Sequence, residues 1–197
     1  MALSSLGRFT NAMTARDELK DILLKKSIRT GDFTLASGKK SNFYVDCRVS
    51  TMDCRGAILV GEVGYAAVVE ELSQREEKPV AIGGMTMGAD PISLAIAMES
   101  SRQNAPLQMF SVRKEAKKYG TGKRVEGNFS EGDTIILVED TATTGGSTIK
   151  AMDAIEAEGG KVSFVLILVD REEGAKEVIE ARGAKVVSIY GKDELIG

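Results

Sequence analysis

The 197-residue sequence contains no histidine. That absence excludes a Ser-His-Asp or Cys-His nucleophile system and a histidine-ligated zinc site. Cysteine is scarce: Cys47 and Cys54 stand alone, which points to two free thiols in a reducing cytoplasm and not to a disulfide framework. With three prolines and no low-complexity tract to separate two halves, a single domain over residues 1–197 is expected. Long hydrophobic runs are missing too. The longest largely apolar stretch, residues 162–169, is far too short to span a bilayer, and MALSSLGRFTNAM at the start lacks the continuous apolar stretch of a signal peptide. There is no excess of positive charge: 26 basic and 29 acidic residues leave a formal charge of −3. The chain therefore has no global attraction for nucleic acid or anionic membrane, and anion binding must be local. Chemistry is left to carboxylates, lysines, arginines, hydroxyls, backbone amides or a hard cation.

What is present is an alternation. Thr14 with Asp17 forms a capping box, and Leu19, Ile22, Leu23 and Ile28 give the helical face behind it. Short extended segments follow at residues 33–35 and 43–45, then a helix over residues 55–72. Strands are expected at 80–82, 107–112, 134–138, 162–169 and 185–189, with helices at 91–101, 147–158 and 172–182. Residues 113–133 are long, polar and glycine-dotted, with little apolar period. Near-continuous Val/Ile/Leu strands alternating with helices indicate a doubly wound, mostly parallel α/β sheet covered on both faces. Residues 1–50 read as a smaller N-terminal portion, a hood. In such sheets ligands bind beyond the carboxyl ends of the strands. Those ends carry Gly83-Gly84, Arg113, Glu139-Asp140 and Asp170-Arg171, all suited to an anionic, hydroxyl-rich ligand.

The segment ILVEDTATTGGST carries the most chemistry. A strand runs into Glu139-Asp140, then into a turn and a helix. Successive backbone N–H groups and the positive helix end suit a phosphate. Gly145 and Gly146 let the backbone close around it, and Thr143, Thr144 and Ser147 add hydroxyl donors. The two carboxylates can accept hydrogen bonds from a diol. A plain strand-to-helix turn capped by Ser147 is the alternative, but two adjacent acids ending an apolar strand need cations or donors. Neither G-x-x-x-x-G-K-[ST] nor G-x-G-x-x-G occurs, which removes the main support for a kinase-like or nicotinamide-binding role.

Arg113-Lys114-Glu-Ala-Lys117-Lys118-Tyr119-Gly-Thr-Gly-Lys-Arg124 gathers cations on a glycine-rich segment leaving a strand's carboxyl end. A solvated charged face is one reading; Gly120, Gly122 and Gly127 oppose a long helix there. A lid over a polyphosphate is the other. Nucleic-acid binding is the weaker rival, since Tyr119 alone offers a stacking ring.

ILVEDTATTGGST resembles the diphosphoribosyl-binding motif of the type I phosphoribosyltransferases. RKEAKKYGTGKRVEG, DFTLASGKKSNFYVD and VDREEG resemble, in order, motifs of the orotate phosphoribosyltransferase family, and the likeness runs over residues 31–174. The resemblance implies transfer of ribose 5-phosphate from phosphoribosyl diphosphate to orotate, with Mg²⁺ bound mainly through the substrate and no protein metal cage. It implies that Glu139 and Asp140 hold the ribose hydroxyls, that Thr143, Thr144, Gly145, Gly146 and Ser147 wrap the sugar phosphate, and that Thr141 and Ala142 also contact phosphoribosyl diphosphate. Arg113, Lys114, Lys117 and Tyr119 would meet the diphosphate, with Lys114, Lys117 and Asp140 as the catalytic groups. Arg171 and Thr143 would receive orotate, and Phe43 and Tyr44 would line its pocket, with an aromatic strand packed into the core as the alternative for those two. A cytoplasmic homodimer sharing the lid between subunits is implied, with no nucleic-acid or membrane partner.

The chain departs from the family pattern in places. Tyr119 stands where many members have histidine, Ala36 where others have lysine, and GGMTMGADP lacks a Tyr-Lys pair found in some members. Two rivals are a phosphoribosyltransferase for another base and a non-catalytic sensor of phosphoribosyl diphosphate. The DFTLASGKKS segment and Arg171 oppose the first; the full lid and the lack of a winged-helix extension oppose the second.

Overall fold

The structure is a computed structural model and describes residues 13–34, 40–116 and 123–197. Thr14 opens α1 (Ala15–Lys26) with the expected capping box, its hydroxyl accepting from the Asp17 N–H while the Asp17 carboxylate accepts from Thr14. The helix stops at Lys26. Ile28, grouped with it by spacing, instead begins β1 (Ile28–Thr34), paired antiparallel with β2 (Lys40–Val45) in a separate two-stranded sheet. A short helix, α2 (Arg48–Thr51), leads to α3 (Cys54–Leu72), whose cap Asp53 accepts from the N–H groups of Arg55 and Gly56.

The main sheet follows. Its strands are β3 (Ala81–Met85), β4 (Gln108–Val112), β5 (Val125–Gly127), β6 (Thr134–Ala142), β7 (Lys161–Asp170) and β8 (Lys185–Gly191). Between them lie α4 (Ala89–Arg102), α5 (Gly146–Ala157) and α6 (Ala175–Glu180), with α7 (Lys192–Ile196) after β8. The order across the sheet is β5-β4-β3-β6-β7-β8, parallel throughout except for the antiparallel β4–β5 pair.

Strand periodicity divides the core. Ile136 and Val138 join Ile82, Phe164 and Leu166 against α1, α3 and α4, whereas Ile135 and Leu137 join Val165 and Ile167 against α5 and α6. Both faces are covered, so these strands are apolar at every position, which is why they read as continuous runs. Among the described residues no helix is long and apolar enough to cross a membrane.

Several boundaries differ from the sequence expectation for local reasons. β6 runs beyond residue 138 because Glu139, Thr141 and Ala142 keep pairing with Ile167, Val169 and Asp170 of β7. Helix α6 is shorter than residues 172–182, since Glu172 and Gly174 sit at φ values of 57° and 98°, outside the helical region. Strand β5 lies inside the polar stretch 113–133. Only Val125 of its three residues is buried, too little for a period to show.

Topology places the site. The chain builds β3, steps to β4 on one side, then returns to lay β6 on the other side of β3. The carboxyl ends of β3 and β6 thus diverge at a topological switch point, where open parallel sheets leave a crevice.

Candidate active site

A cavity of about 260 Å³ opens at that switch point. Its floor is Glu139, Asp140 and Thr141 from the end of β6. One wall is residues 85–88, between β3 and α4; another is Tyr44, Asp46 and Arg48, where the β1–β2 hairpin runs into α2. Lys114, just past β4, and Ser147, in the first turn of α5, complete it. A larger recess, about 630 Å³, lies among α1, α3 and β8, away from the carboxyl ends of the strands. Three of its charged side chains are paired within the protein: Glu71 with Arg75 and Lys185, and Arg16 with Glu194. The cavity at the switch point is the one floored by two adjacent acids, Glu139 and Asp140.

Glu139 is only 6% exposed, and its carboxylate accepts from the Thr148 hydroxyl at 2.8 Å, a latch between β6 and α5. Burial, then the neighbouring Asp140 charge, push Glu139 up to about 7 from its ordinary 4.5. Asp140 is raised as well, burial again being the largest cause, while its hydrogen bond from the Thr141 N–H and the Arg48 charge pull the other way. Two acids held out of water with few donors are poised to accept from incoming hydroxyls or a cation.

The space beside Asp140 is kept by Gly88. A Cβ there would meet the carboxyl carbon and one oxygen of Asp140 at 2.5 Å. Behind β6, the fully buried Cys47 thiol lies 3.2 Å from the Thr141 hydroxyl and reaches the Asp140 carbonyl oxygen at 3.5 Å. Burial raises this thiol far above its ordinary value, so it packs as a neutral group.

The turn between β6 and α5 has the form expected of an anion cradle. Gly145 is left-handed, φ 76°, and hands the chain to α5 with Gly146 and Ser147 exposed at its first turn. The first N–H groups of a helix have no intrahelical partners, and its dipole is positive at that end. Thr144 is exposed and Thr143 half-buried in the turn, beside the cavity and not in its wall. The Ala142 side chain is buried in the core, and its carbonyl accepts from the Arg171 N–H at 2.9 Å.

The basic segment leaves β4 and returns as β5, so it is a long hairpin connection. Its base is tied where the Arg113 N–H donates to the Arg124 carbonyl at 2.8 Å, and where Glu158 accepts from the N–H groups of Arg124 and Val125. Arg113 is half-exposed, 3.8 Å from Glu126, and Lys114 reaches the cavity. Lys117, Tyr119 and Ala36 lie outside the described residues.

Arg171 and Phe43 come together, though not in the cavity wall. Arg171 is 5% exposed; its guanidinium lies 5.2 Å from the centre of the Phe43 ring, with Nε donating to Glu173 at 2.9 Å. Phe43 is fully buried, while Tyr44, next along β2, faces the cavity. Sequence reasoning missed Asp46, Arg48 and Thr148. The first two carried a signal in V-D-C-R, an acid and a base at alternate positions where an extended segment ends; Thr148 closed a motif already singled out.

A hard cation fits this donor set. Among the described residues no three potential protein ligands cluster. Two adjacent carboxylates beside a phosphate-shaped turn match Mg²⁺, which takes one or two carboxylates and completes its shell with phosphate oxygens and water.

A mostly parallel α/β sheet with paired acids and a glycine turn at its switch point matches the type I phosphoribosyltransferase class. No family model matches the chain. The orotate phosphoribosyltransferase of Rhodopirellula baltica is 39% identical over 164 residues, covering 83% of this chain and 85% of that one. The crystal structure of Mycobacterium tuberculosis orotate phosphoribosyltransferase with Fe(III) dicitrate superposes with a TM-score of 0.78 at 36% identity, covering 93% of this chain and all of that one. The same mycobacterial enzyme in complex with 5-phospho-α-D-ribosyl 1-diphosphate gives a TM-score of 0.75 at 34% identity, over 92% and 99% of the two chains. The present chain belongs to the orotate phosphoribosyltransferases, a family of pentosyltransferase enzymes.

Proposed function

We propose that the cavity between β3 and β6 transfers the 5-phosphoribosyl group from phosphoribosyl diphosphate to orotate, giving orotidine 5′-phosphate and diphosphate for pyrimidine biosynthesis. The observation that carries this is the pair of buried Glu139 and half-buried Asp140 at the switch point, adjoining the left-handed Gly145 turn. In this reading the ribose hydroxyls donate to Glu139 and Asp140. The backbone and hydroxyls of Thr141, Ala142, Thr143, Thr144, Gly145, Gly146 and Ser147 receive the 5′-phosphate. Arg113, Lys114, Lys117 and Tyr119 close on the diphosphate, and Arg171, Thr143 and Tyr44 orient the base, with the buried Phe43 ring packed behind the Arg171 guanidinium. Arg171 would exchange or share its Glu173 partner for the acceptor's planar carboxylate, for which its fork is shaped.

The C1–O bond to diphosphate breaks while a C1–N bond to the base forms. Positive charge grows on the sugar and negative charge on the leaving group. Asp140, held beside the ribose by the missing Cβ of Gly88, is the carboxylate nearest the developing sugar charge. Lys114 and Lys117 neutralise the departing diphosphate as the lid excludes water. Mg²⁺, held mainly by diphosphate oxygens with Glu139 and Asp140 as the nearest carboxylates, would add further neutralisation there.

Residues 1–50 act as a hood whose hairpin end covers the base side, within a single phosphoribosyltransferase domain. The active form is a cytoplasmic homodimer with shared lids. Support comes from the apolar groove between α3 and α4, where Ile58, Leu94 and Met98 are 48%, 52% and 62% exposed. α4 starts at the cavity wall, so a second copy seated there would bring its lid close.

The test is orotate consumption dependent on phosphoribosyl diphosphate and Mg²⁺, with uracil, adenine and hypoxanthine as controls. Preference for another base would overturn the assignment. Lys117→Ala should lower turnover by about 10²–10³-fold at saturating substrates. Mixing inactive Asp140 and Lys117 variants should restore activity in mixed dimers; none recovered would refute lid sharing.

A further inference from the structure

The cavity wall carries three acids, Asp46, Glu139 and Asp140, against two cations, Arg48 and Lys114. An unbalanced acidic wall is a poor receiver for a polyanionic donor, so each cation on it matters. Lys114 belongs to the lid segment. Arg48 does not.

Arg48 begins α2, on a stretch tied down from several sides. The Asp46 N–H donates to the Ser27 carbonyl at 2.9 Å, and the buried Ser50 hydroxyl meets that of Ser27 at 2.6 Å. The Arg48 guanidinium is gripped on one edge by Asp46. Its Nε and Nη2 donate to the two carboxylate oxygens at 2.8 and 2.9 Å, and its own backbone N–H donates to the first at 3.2 Å. The side chain is still 50% exposed, and Nη1 has no partner among the described residues. A half-exposed pair two residues apart contributes at most about 1 kcal/mol to folding, so stability gives no reason for it to stand in the catalytic wall. A bidentate clamp, however, fixes the plane of the fork and directs its open edge.

The other anionic groups of the reaction have receivers. The β6–α5 turn takes the sugar phosphate and Arg171 the acceptor's carboxylate. On a ribose ring the C1 substituent lies away from the 5′-phosphate, so a sugar phosphate seated at the Gly145 turn sends its leaving group away from that turn and into the cavity that residues 85–88, Lys114 and Arg48 line together. We propose that Arg48, its fork held by Asp46, binds the diphosphate of the donor from the fixed wall of the cavity, while the lid cations bind it from above; this rests on the transfer reaction proposed above. Arg48 is then a substrate-binding residue and Asp46 a positioning residue.

The experiment uses the full chain and titrates inorganic diphosphate with Mg²⁺ by calorimetry, with inorganic phosphate and orotidine 5′-phosphate as separate arms. Arg48→Ala should weaken diphosphate binding about tenfold to a hundredfold, the range for one charge-assisted contact, and leave orotidine 5′-phosphate binding within about twofold. Arg48→Lys, which keeps the charge and loses the fork, should fall between, and serves if the alanine variant does not fold. Asp46→Asn should raise KM for phosphoribosyl diphosphate more than it lowers kcat, with recovery in Asp46→Glu. Unchanged diphosphate affinity in both Arg48 variants would overturn the inference, as would a loss confined to orotidine 5′-phosphate or to inorganic phosphate. Failure of the wild-type chain to convert orotate would instead refute the transfer reaction, whatever the binding arms read.

Discussion

Replacing Glu139 by glutamine should make the ligand-free protein more stable at alkaline pH while crippling its site. The Glu139 carboxyl titrates near 7 when folded and near 4.5 when its chain is free in water, because burial and Asp140 both disfavour the anion. Between those values the unfolded chain sheds its proton first, so it binds fewer protons than the native state and stability falls as pH rises. Below 4.5 both states are protonated and no penalty exists; above 7 both are ionised and the whole penalty is present, about 3 kcal/mol. Glutamine carries no charge, and its oxygen can still accept from Thr148, but its NH₂ group needs a partner in a buried setting. A net gain of about 1–2 kcal/mol at pH 8.5 is therefore expected, or roughly 3–6 °C in Tm for a chain of this size. Near pH 4.5 the advantage should vanish. The assay is a series of thermal melts from pH 4.5 to 8.5 in the presence of a chelator, without substrate, for wild type and Glu139→Gln. A smaller residual slope should remain in the variant, since Asp140 is raised in the same direction. Parallel Tm profiles, or a variant less stable than wild type at pH 8.5, would refute the claim that burial strains this carboxylate. A second measurement ties the strain to function: phosphoribosyl diphosphate with Mg²⁺ should raise the Tm of wild type more than that of the variant.

Two further substitutions probe the backbone around the acids. Gly88→Ala is compatible with its φ of −64°, yet the new Cβ must displace the Asp140 carboxylate. Turnover should fall by about 10²-fold, the scale of a 1 Å misplacement at a reacting centre, with Tm changed by little; an unaltered kcat would show that Asp140 needs no such placement. Gly145→Ala forces a side chain into a left-handed turn, at a cost of about 1–2 kcal/mol. It should lower Tm by roughly 3–6 °C and weaken donor binding, read by melts and by titration; loss of stability with donor affinity intact would separate the turn from the cradle.

Much of this was legible in the chain. Residues whose environment follows from local chemistry read correctly: the Thr14–Asp17 capping box, the apolar runs of β3, β6 and β7, and the turn glycines before α5. Elements held mainly by distant partners did not. β5 exists because Val125 pairs with Val112 of β4, and α2 because Ser50 and Thr51 bury against α1 and α3. Their own sequences are too short and too polar to announce them.

The site divides in the same way. The order of motifs, the acids Glu139 and Asp140, the glycines of the turn and the run of cations after β4 are read from residue type and spacing alone, because each is a local feature of the chain. Which strand ends meet, how deeply the acids are buried, and that Gly88, Asp46 and Arg48 stand across from them are consequences of the β3–β6 adjacency. That adjacency is made by a chain reversal and by packing on both faces of the sheet. No run of sequence encodes it, so only the tertiary structure could place a hairpin-end arginine in the wall of a cavity floored by β6.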